Sequence, residues 1–257
     1  MSNYVFYFSP TKSTEKITKT IAEEFTSYQS FDLSKQNFEV TNAFSKDDIC
    51  IVGVPSYGGR VPAVALERMK NMKGHKTPAI LVVSYGNRHY DDTFLELQDF
   101  LEERGFQCIA AIAAIAEHSI MHQFAKGRPD VNDIKQLKDY SSKIIDCLLK
   151  HEEFEKLSLP GNRPYKEYHG VPLKPKVSNA CTSCGACANV CPVQAIPMDA
   201  PNQTNTDICI SCMRCIEVCP AHARTVNKLM LKVASLKMKK NCSEPKENEL
   251  FLANFKK

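Results

Sequence analysis

The chain has 257 residues, 43% of them hydrophobic and 24% charged, with a formal net charge of +4, which fits one large globular domain or a medium domain joined to a small one. No run approaches 18 uninterrupted apolar residues, so no membrane span is expected, and the opening MSNYVFYFSPTKST lacks a basic leader region, which points to the cytoplasm. The tail from residue 229 holds seven basic and three acidic side chains and accounts for the whole surplus, so the body of the chain has no basic footprint for nucleic acid.

In chain order, the apolar run YVFYF (4–8) predicts a strand, then the turn SPTKST, then a helix in TEKITKTIAEEF, where Ile17, Ile21, Ala22 and Phe25 recur at helical spacing. Further strands are expected at 48–55 (DICIVGVP), 77–86 (TPAILVVSYG) and 107–117 (QCIAAIAAIAE), with helices over 62–71, 92–104 and 131–151. The alanines of CIAAIAAIA would also suit a helix; their place after EERGF favours a strand. Short unbroken apolar strands alternating with amphipathic helices imply an α/β domain with a buried, mostly parallel sheet. Ligands of such sheets sit beyond the C-terminal strand ends.

Three loops lie there. After the first strand, Ser9, Thr11, Ser13 and Thr14 bring hydroxyls and backbone N–H groups to the start of a helix, a cradle for a phosphate or simply a helix cap. No G-x-G-x-x-G or G-K-[ST] follows the strand, so this is not a nucleotide fingerprint. PSYGGRVP supplies glycines and the flat face of Tyr57, and YGNRHYDD supplies Gly86 and Tyr90.

In this order the loops FSPTKST, PSYGG and YGNRHYDD resemble the cofactor loops of the flavodoxin family. The resemblance covers roughly residues 1–150 and implies a doubly wound five-stranded parallel sheet of order 2-1-3-4-5 that binds FMN. It implies Ser9, Thr11, Lys12, Ser13 and Thr14 around the phosphate and Ser56, Tyr57, Gly58 and Gly59 on one side of the isoalloxazine. Tyr85, Gly86, Asn87, Arg88 and Tyr90 would line the other side, with Tyr90 stacked on the ring. Two departures stand out. Lys12-Ser13 replaces the family's frequent Gly-Asn, so the turn is made without glycine, and Tyr57 stands where tryptophan is common.

The second part of the chain reads C-x2-C-x2-C-x3-C-P twice, at 181–192 and 209–220, a repeat of 28 residues. Zinc sites pair close ligands from two distant knuckles, whereas three cysteines at x2 spacing with a fourth before proline are an iron–sulfur arrangement. The C-x3-C-x2-C run of S-adenosylmethionine radical chemistry is absent. Residues 176–228 resemble the two-cluster bacterial ferredoxins. That likeness implies two [4Fe–4S] clusters with crossed ligation: Cys181, Cys184, Cys187 and Cys219 on one, and Cys209, Cys212, Cys215 and Cys191 on the other. Gly185 suits a tight wrap, and Met213 holds the equivalent place in the second motif.

Cys50, Cys108 and Cys147 read as buried small hydrophobes, and Cys242 receives no role. His118 and His122 have i,i+4 spacing but no third ligand, so a loop role is expected. Their segment, EHSIMHQFAKGRPD, is long for a connection, and covering the flavin or docking the second domain are its two expected uses. The expected divisions are 1–153 (FMN domain), 154–175 (an ordered proline-containing strap), 176–228 (iron–sulfur module) and 229–257 (basic tail). In the tail, a helix over 227–240 would place Leu229, Val233 and Leu236 on one face, either packed on the body or rimmed by lysines that steer an acidic partner.

Joined, these parts imply an electron carrier of anaerobic metabolism that passes electrons between FMN and the clusters and exchanges them with another redox protein. The alternatives are an FMN-dependent reductase of a small acceptor, such as a quinone or disulfide, and an iron–sulfur sensor or scaffold.

Overall fold

The computed structural model describes residues 2–151 and 153–255. Five strands, β1 (Asn3–Tyr7), β2 (Gln29–Asp32), β3 (Ile49–Pro55), β4 (Thr77–Tyr85) and β5 (Phe106–Ile115), run parallel in the order β2-β1-β3-β4-β5. This is the flavodoxin-like doubly wound order. A sixth strand, β6 (Glu249–Leu252), lies antiparallel on β5. The central strands are buried along almost their whole length, as parallel strands covered on both faces must be. The alanine-rich segment is strand: Ala110, Ala111, Ala113 and Ala114 expose nothing in β5. Ile109 is a bulge there, skipped by the β4 register, and its carbonyl instead receives the Ala253 N–H at 2.9 Å.

Helices α1 (Ser13–Ala22), α2 (Ala63–Met69), α3 (Thr93–Glu102) and α4 (Val131–Lys150) follow β1, β3, β4 and β5. The core stripe of α1 is Ile17, Ile21 and Ala22, all fully buried. The helix lies close to the sheet because β3 carries Gly53, where a Cβ would sit 2.0 Å from Thr18 Oγ1. A capping box starts α4: Asp130 accepts from the Asn132 and Asp133 N–H groups, and Asp133 accepts from Asp130 N–H.

Beyond α4 the chain runs back along this domain as a strap. Phe154 and Leu157 enter the main core. The backbone N–H groups of Asn162 and Lys166 donate to the buried Asp92 carboxylate at 2.8 and 2.6 Å, and Arg163 forms a two-point ion pair with Asp99.

The small module holds α5 (Ala186–Val190) and α6 (Arg214–Glu217), closed by antiparallel pairing of Lys176–Val177 with Arg224–Thr225. Its backbone repeats as its sequence does. Positive φ recurs at pairs 28 residues apart: Ser183 and Ser211 (53° and 54°), Gly185 and Met213 (76° and 64°), Gln194 and His222 (53° and 47°). Met213 therefore keeps the left-handed turn without glycine, at a cost of about 1–2 kcal/mol. The module is fastened to the first domain by Gln36, whose Nε2 donates to the Ala188 and Cys191 carbonyls (2.6 and 2.9 Å), and by Arg68, which donates to the Pro192 carbonyl at 2.6 Å.

Helix α7 (Lys228–Cys242) follows, capped by Asn227. The expected packing face is the wrong one. Leu229, Val233 and Leu236 are 72%, 47% and 64% exposed, whereas Leu231, Ala234, Met238 and the buried Cys242 pack on Ile120, Met121, Phe124 and Leu173. Nor is the tail only a helix, since β6 returns to the sheet, with Phe251 against Phe94 at 5.7 Å. Among the described residues no helix is long and apolar enough to cross a membrane.

Candidate functional site

A cavity opens at the C-terminal ends of β1, β3 and β4. Thr11, Ser13, Thr14, Ser56, Tyr57, Gly58, Tyr85 and Gly86 line it. Lys12, at φ 70°, makes the turn into α1. Among the described residues Thr11 and Ser13 have no partner for hydroxyl or N–H, and the Thr14 N–H has none either. These are the donors that a helix start leaves free. The Thr14 hydroxyl is taken by Ser84 Oγ at 2.7 Å. An anionic oxygen group fits this end, where unpaired donors coincide with the positive pole of α1.

Other residues of the three loops are not brought to the cavity. Ser9 is buried beneath it; its Oγ accepts from Glu15 N–H (2.9 Å) and its N–H donates to Ser34 Oγ (2.6 Å). The Lys12 ammonium pairs with Glu15 at 3.0 Å, as does Lys19 at 2.7 Å. Gly59 backs onto Asp91, and Arg88 pairs with that same aspartate. Asn87 is buried and donates to the Cys242 and Glu244 carbonyls (2.6 and 2.8 Å). Tyr90 is 3% exposed, packed edge-on to Tyr85 and Phe94 with its hydroxyl on Glu249. The expected stacking ring therefore points into the core, because the returning β6 supplies it with a partner there.

The missing walls come from elsewhere. Tyr168 and Val171 of the strap, Ala116–Ile120 after β5, and Ile210 and Ser211 of the second cysteine motif complete the cavity. A Cβ on Gly58 would meet the Tyr168 ring at 2.4 Å, and one on Gly86 would meet His118 Cβ at 2.8 Å, so both glycines are required by these late arrivals. His118 Nδ1 accepts from the Ile120 and Met121 N–H groups at 3.1 and 3.2 Å, which leaves the ring proton on Nε2. Burial pushes its pKa down to about 4, so the ring is neutral near pH 7. Only the unusual length of the loop signalled this placement. His122 points away, to Glu117 at 2.7 Å.

The eight motif cysteines divide between two small cavities. Cys181, Cys184, Cys187 and Cys219 line one; Cys191, Cys209, Cys212 and Cys215 line the other. The fourth cysteine of each motif thus stands with the triplet of the opposite motif. Its sulfur accepts a backbone N–H from the residue four places on: Ala195 to Cys191 at 3.2 Å, Ala223 to Cys219 at 3.3 Å. Burial pushes the Cys212 and Cys215 thiols up to about 12. Thiolates at these positions need a cationic partner, which iron supplies. The arrangement fits a four-cysteine cluster in each cavity.

The two kinds of cavity adjoin. Ile210 lines both the cavity at the sheet edge and the Cys191–Cys215 cavity. The phenol of Tyr57 is held well above its usual pKa by burial first, then by the neighbouring Cys212 and Tyr168. The Cys181–Cys219 cavity lies at the outer side, where Cys184 is exposed.

Residues 180–223 match the family of 4Fe-4S dicluster domains. Among solved structures, the chain is similar to oxidised Flavodoxin 2 from Bacillus cereus (11% identity, TM-score 0.43, covering 57% of this chain and 99% of that one). It is also similar to a Fusobacterium nucleatum flavodoxin bound to flavin mononucleotide (17%, 0.38, 56% and 97%) and to an azoreductase from Bacillus anthracis (10%, 0.38, 57% and 100%). No curated protein sequence matches. By its strand order the first part of the chain has a flavodoxin-like fold, and residues 180–223 match a 4Fe-4S dicluster domain.

Proposed function

We propose that the chain binds FMN in the sheet-edge cavity and two [4Fe–4S] clusters in the cysteine cavities, and that it passes electrons between the flavin and an external redox protein through the clusters. FMN exchanges electrons singly or in pairs, whereas each cluster passes one at a time. The supporting observation is Ile210, one side chain that walls both the flavin cavity and the cavity of Cys191, Cys209, Cys212 and Cys215. In this reading the ligands of the second cluster, Cys181, Cys184, Cys187 and Cys219, lie further out, and exposed Cys184 marks the end at which an electron leaves or enters.

In this reading Thr11, Ser13 and the first turn of α1 hold the phosphate. Tyr57, Gly58, Gly86 and Tyr168 confine the ring system. His118 offers a neutral Nε2–H at the wall, and Val171, Ile210 and Ser211 keep water from the side facing the inner cluster. The lysines of α7 (232, 237, 239 and 240) form a positive rim for an acidic partner. Neutralising Lys237, Lys239 and Lys240 would slow partner reduction at low salt, with the difference shrinking as ionic strength rises.

The decisive experiment is anaerobic purification with iron, acid-labile sulfide and flavin analysis. About eight iron, eight sulfide and one FMN per chain are expected, as two cubes require. Reduction of the flavin alone should then be followed by electron transfer to the clusters. Stoichiometric zinc without sulfide, or a flavin that never equilibrates with the clusters, would overturn the proposal. A second reading, reduction of a small acceptor at the flavin, draws on His118 as a hydrogen-bond donor to that acceptor; turnover of a quinone or disulfide by the pure protein tests it.

A further inference from the structure

The two cysteine cavities are related by the 28-residue repeat, and at one matched position they differ by a buried charge. Ile196 lines the inner cavity, that of Cys191, Cys209, Cys212 and Cys215. Its counterpart 28 residues on, Arg224, lines the outer one. Each is the fifth residue after the crossed cysteine of its motif, Cys191 or Cys219.

Arg224 is 2% exposed, yet none of its partners is an anion. Nη1 donates to Thr204 Oγ1 at 2.8 Å, and Nη2 donates to the carbonyls of Pro201 and Gln203. Nε is buried with no partner among the described residues. A guanidinium stays protonated in proteins, so a full positive charge is buried here against neutral acceptors alone. Burying a charge is costly unless an opposite charge accompanies it. The neighbours able to supply one are the cysteine sulfurs. Cys187 Sγ approaches the same Pro201 carbonyl, at 3.7 Å, that Nη2 donates to. Arg224 lines the outer cavity and not the inner one.

We propose that Arg224 is the built-in counter-ion of the outer cluster and makes it the preferred seat of an electron shared between the two clusters. This rests on the two-cluster reading above. A [4Fe–4S] core with four thiolates is anionic, and one-electron reduction adds a further negative charge. A fixed cation at the cavity wall favours the reduced form; at the inner cavity Ile196 offers no charge, and the guanidinium that lines it, Arg214, is already paired with Asp32 at 3.9 Å. No bond is made or broken; one electron moves from the inner to the outer cluster. Electrons arriving from the flavin side are thereby drawn toward exposed Cys184, where a partner can collect them.

The test uses the full chain with both clusters loaded, verified by iron and sulfide content. The protein is reduced by one electron, and occupancy of each cluster is read from the paramagnetically shifted cysteine β-proton resonances. Wild-type protein should hold the electron mainly on the cluster of Cys181, Cys184 and Cys187. Arg224→Gln should shift the outer-to-inner ratio at least tenfold toward the inner cluster, about 59 mV for a one-electron couple, and Arg224→Lys should keep most of the wild-type ratio. A loaded Arg224→Gln protein with an unchanged ratio would overturn the assignment. Should Arg224→Gln fail to load while Arg224→Lys loads normally, the need for a charge is supported; if both fail, or if Lys behaves as Gln does, the role is one of packing and the proposal falls. Absence of labile sulfide from the wild type would instead defeat the two-cluster reading itself.

Discussion

Gly58 of the flavodoxin-like domain and Tyr168 of the strap are in contact so close that a β-carbon on the glycine would lie 2.4 Å from the tyrosine ring. The wall of the sheet-edge cavity is thus set jointly by two segments 110 residues apart. Gly58 also has φ +62°, which costs a non-glycine residue about 1–2 kcal/mol. Gly58→Ala is expected to displace Tyr168 and weaken FMN binding by roughly tenfold or more. Titration of flavin fluorescence with the flavin-free protein measures this. Tyr168→Phe keeps the ring and should bind FMN nearly as the wild type does.

Asp92 holds the strap that carries Tyr168. It is buried, and it receives the N–H groups of Asn162 and Lys166. A hydrogen bond to a charged acceptor contributes about 1.5–3 kcal/mol, so Asp92→Ala should release the segment and not merely soften it. Faster trypsin cleavage after Lys156 and Lys166 is the expected outcome, with Asp92→Asn intermediate. Unchanged cleavage rates would mean that the arginine and tyrosine contacts on Asp99 hold the strap by themselves.

Glu15 gives the flavodoxin-like domain an acid-dependent component. Burial opposes its ionisation, but hydrogen bonds from Lys19 and Lys12, together with their charges, outweigh that and hold its pKa at about 2. The folded-state value lies below the unfolded one. The stabilisation is therefore complete above the unfolded pKa of about 4.5 and is lost as pH falls through about 2. Because the lysines are partly exposed, its size is on the order of 1 kcal/mol. Denaturation of Glu15→Gln alongside wild type should show that difference at pH 7 and a shrinking one as pH falls toward and below 2. An offset independent of pH would assign the effect to packing.

Crossed placement of the fourth cysteines makes a sharper forecast. Cys191→Ser should disturb the cluster held by Cys209, Cys212 and Cys215, and Cys219→Ser the cluster held by Cys181, Cys184 and Cys187. Both variants should also loosen the module, since cluster binding supplies folding energy. Mapping of the shifted cysteine protons after anaerobic reconstitution decides between crossed and uncrossed ligation.

Legibility in the sequence followed the physics of each segment. Strands β1, β3, β4 and β5 are unbroken apolar runs, and their pattern is visible without tertiary context. Strands β2 and β6 are four-residue edge strands, half exposed, with little pattern to display. Missing β6 had consequences at the site. Tyr90 reads as a stacking ring only until Glu249 arrives to receive its hydroxyl. The cysteine spacing carries its own geometry over twelve residues, so both cavities could be anticipated. Tyr168, His118 and Ile210 could not be, because each reaches the sheet-edge cavity only through a long-range fold-back that no local pattern records. Helix α7 shows the same limit: Leu229, Val233 and Leu236 form the regular stripe, yet the less regular face carrying Leu231 and Met238 meets the body.

The position of β6 has a bearing on biosynthesis. The sheet's outer edge is β5, an alanine-rich strand whose hydrogen-bonding groups stay open until Glu249–Leu252 pair with them, and an open apolar edge invites pairing with another chain. On a ribosome those four residues emerge after every cysteine of the module has been made. The iron–sulfur segment is in effect a long insertion whose two ends are sewn to one sheet. If the module binds clusters as proposed, a chain short of iron and sulfide would keep that edge unsealed for longer and should lose more newly made protein to aggregation.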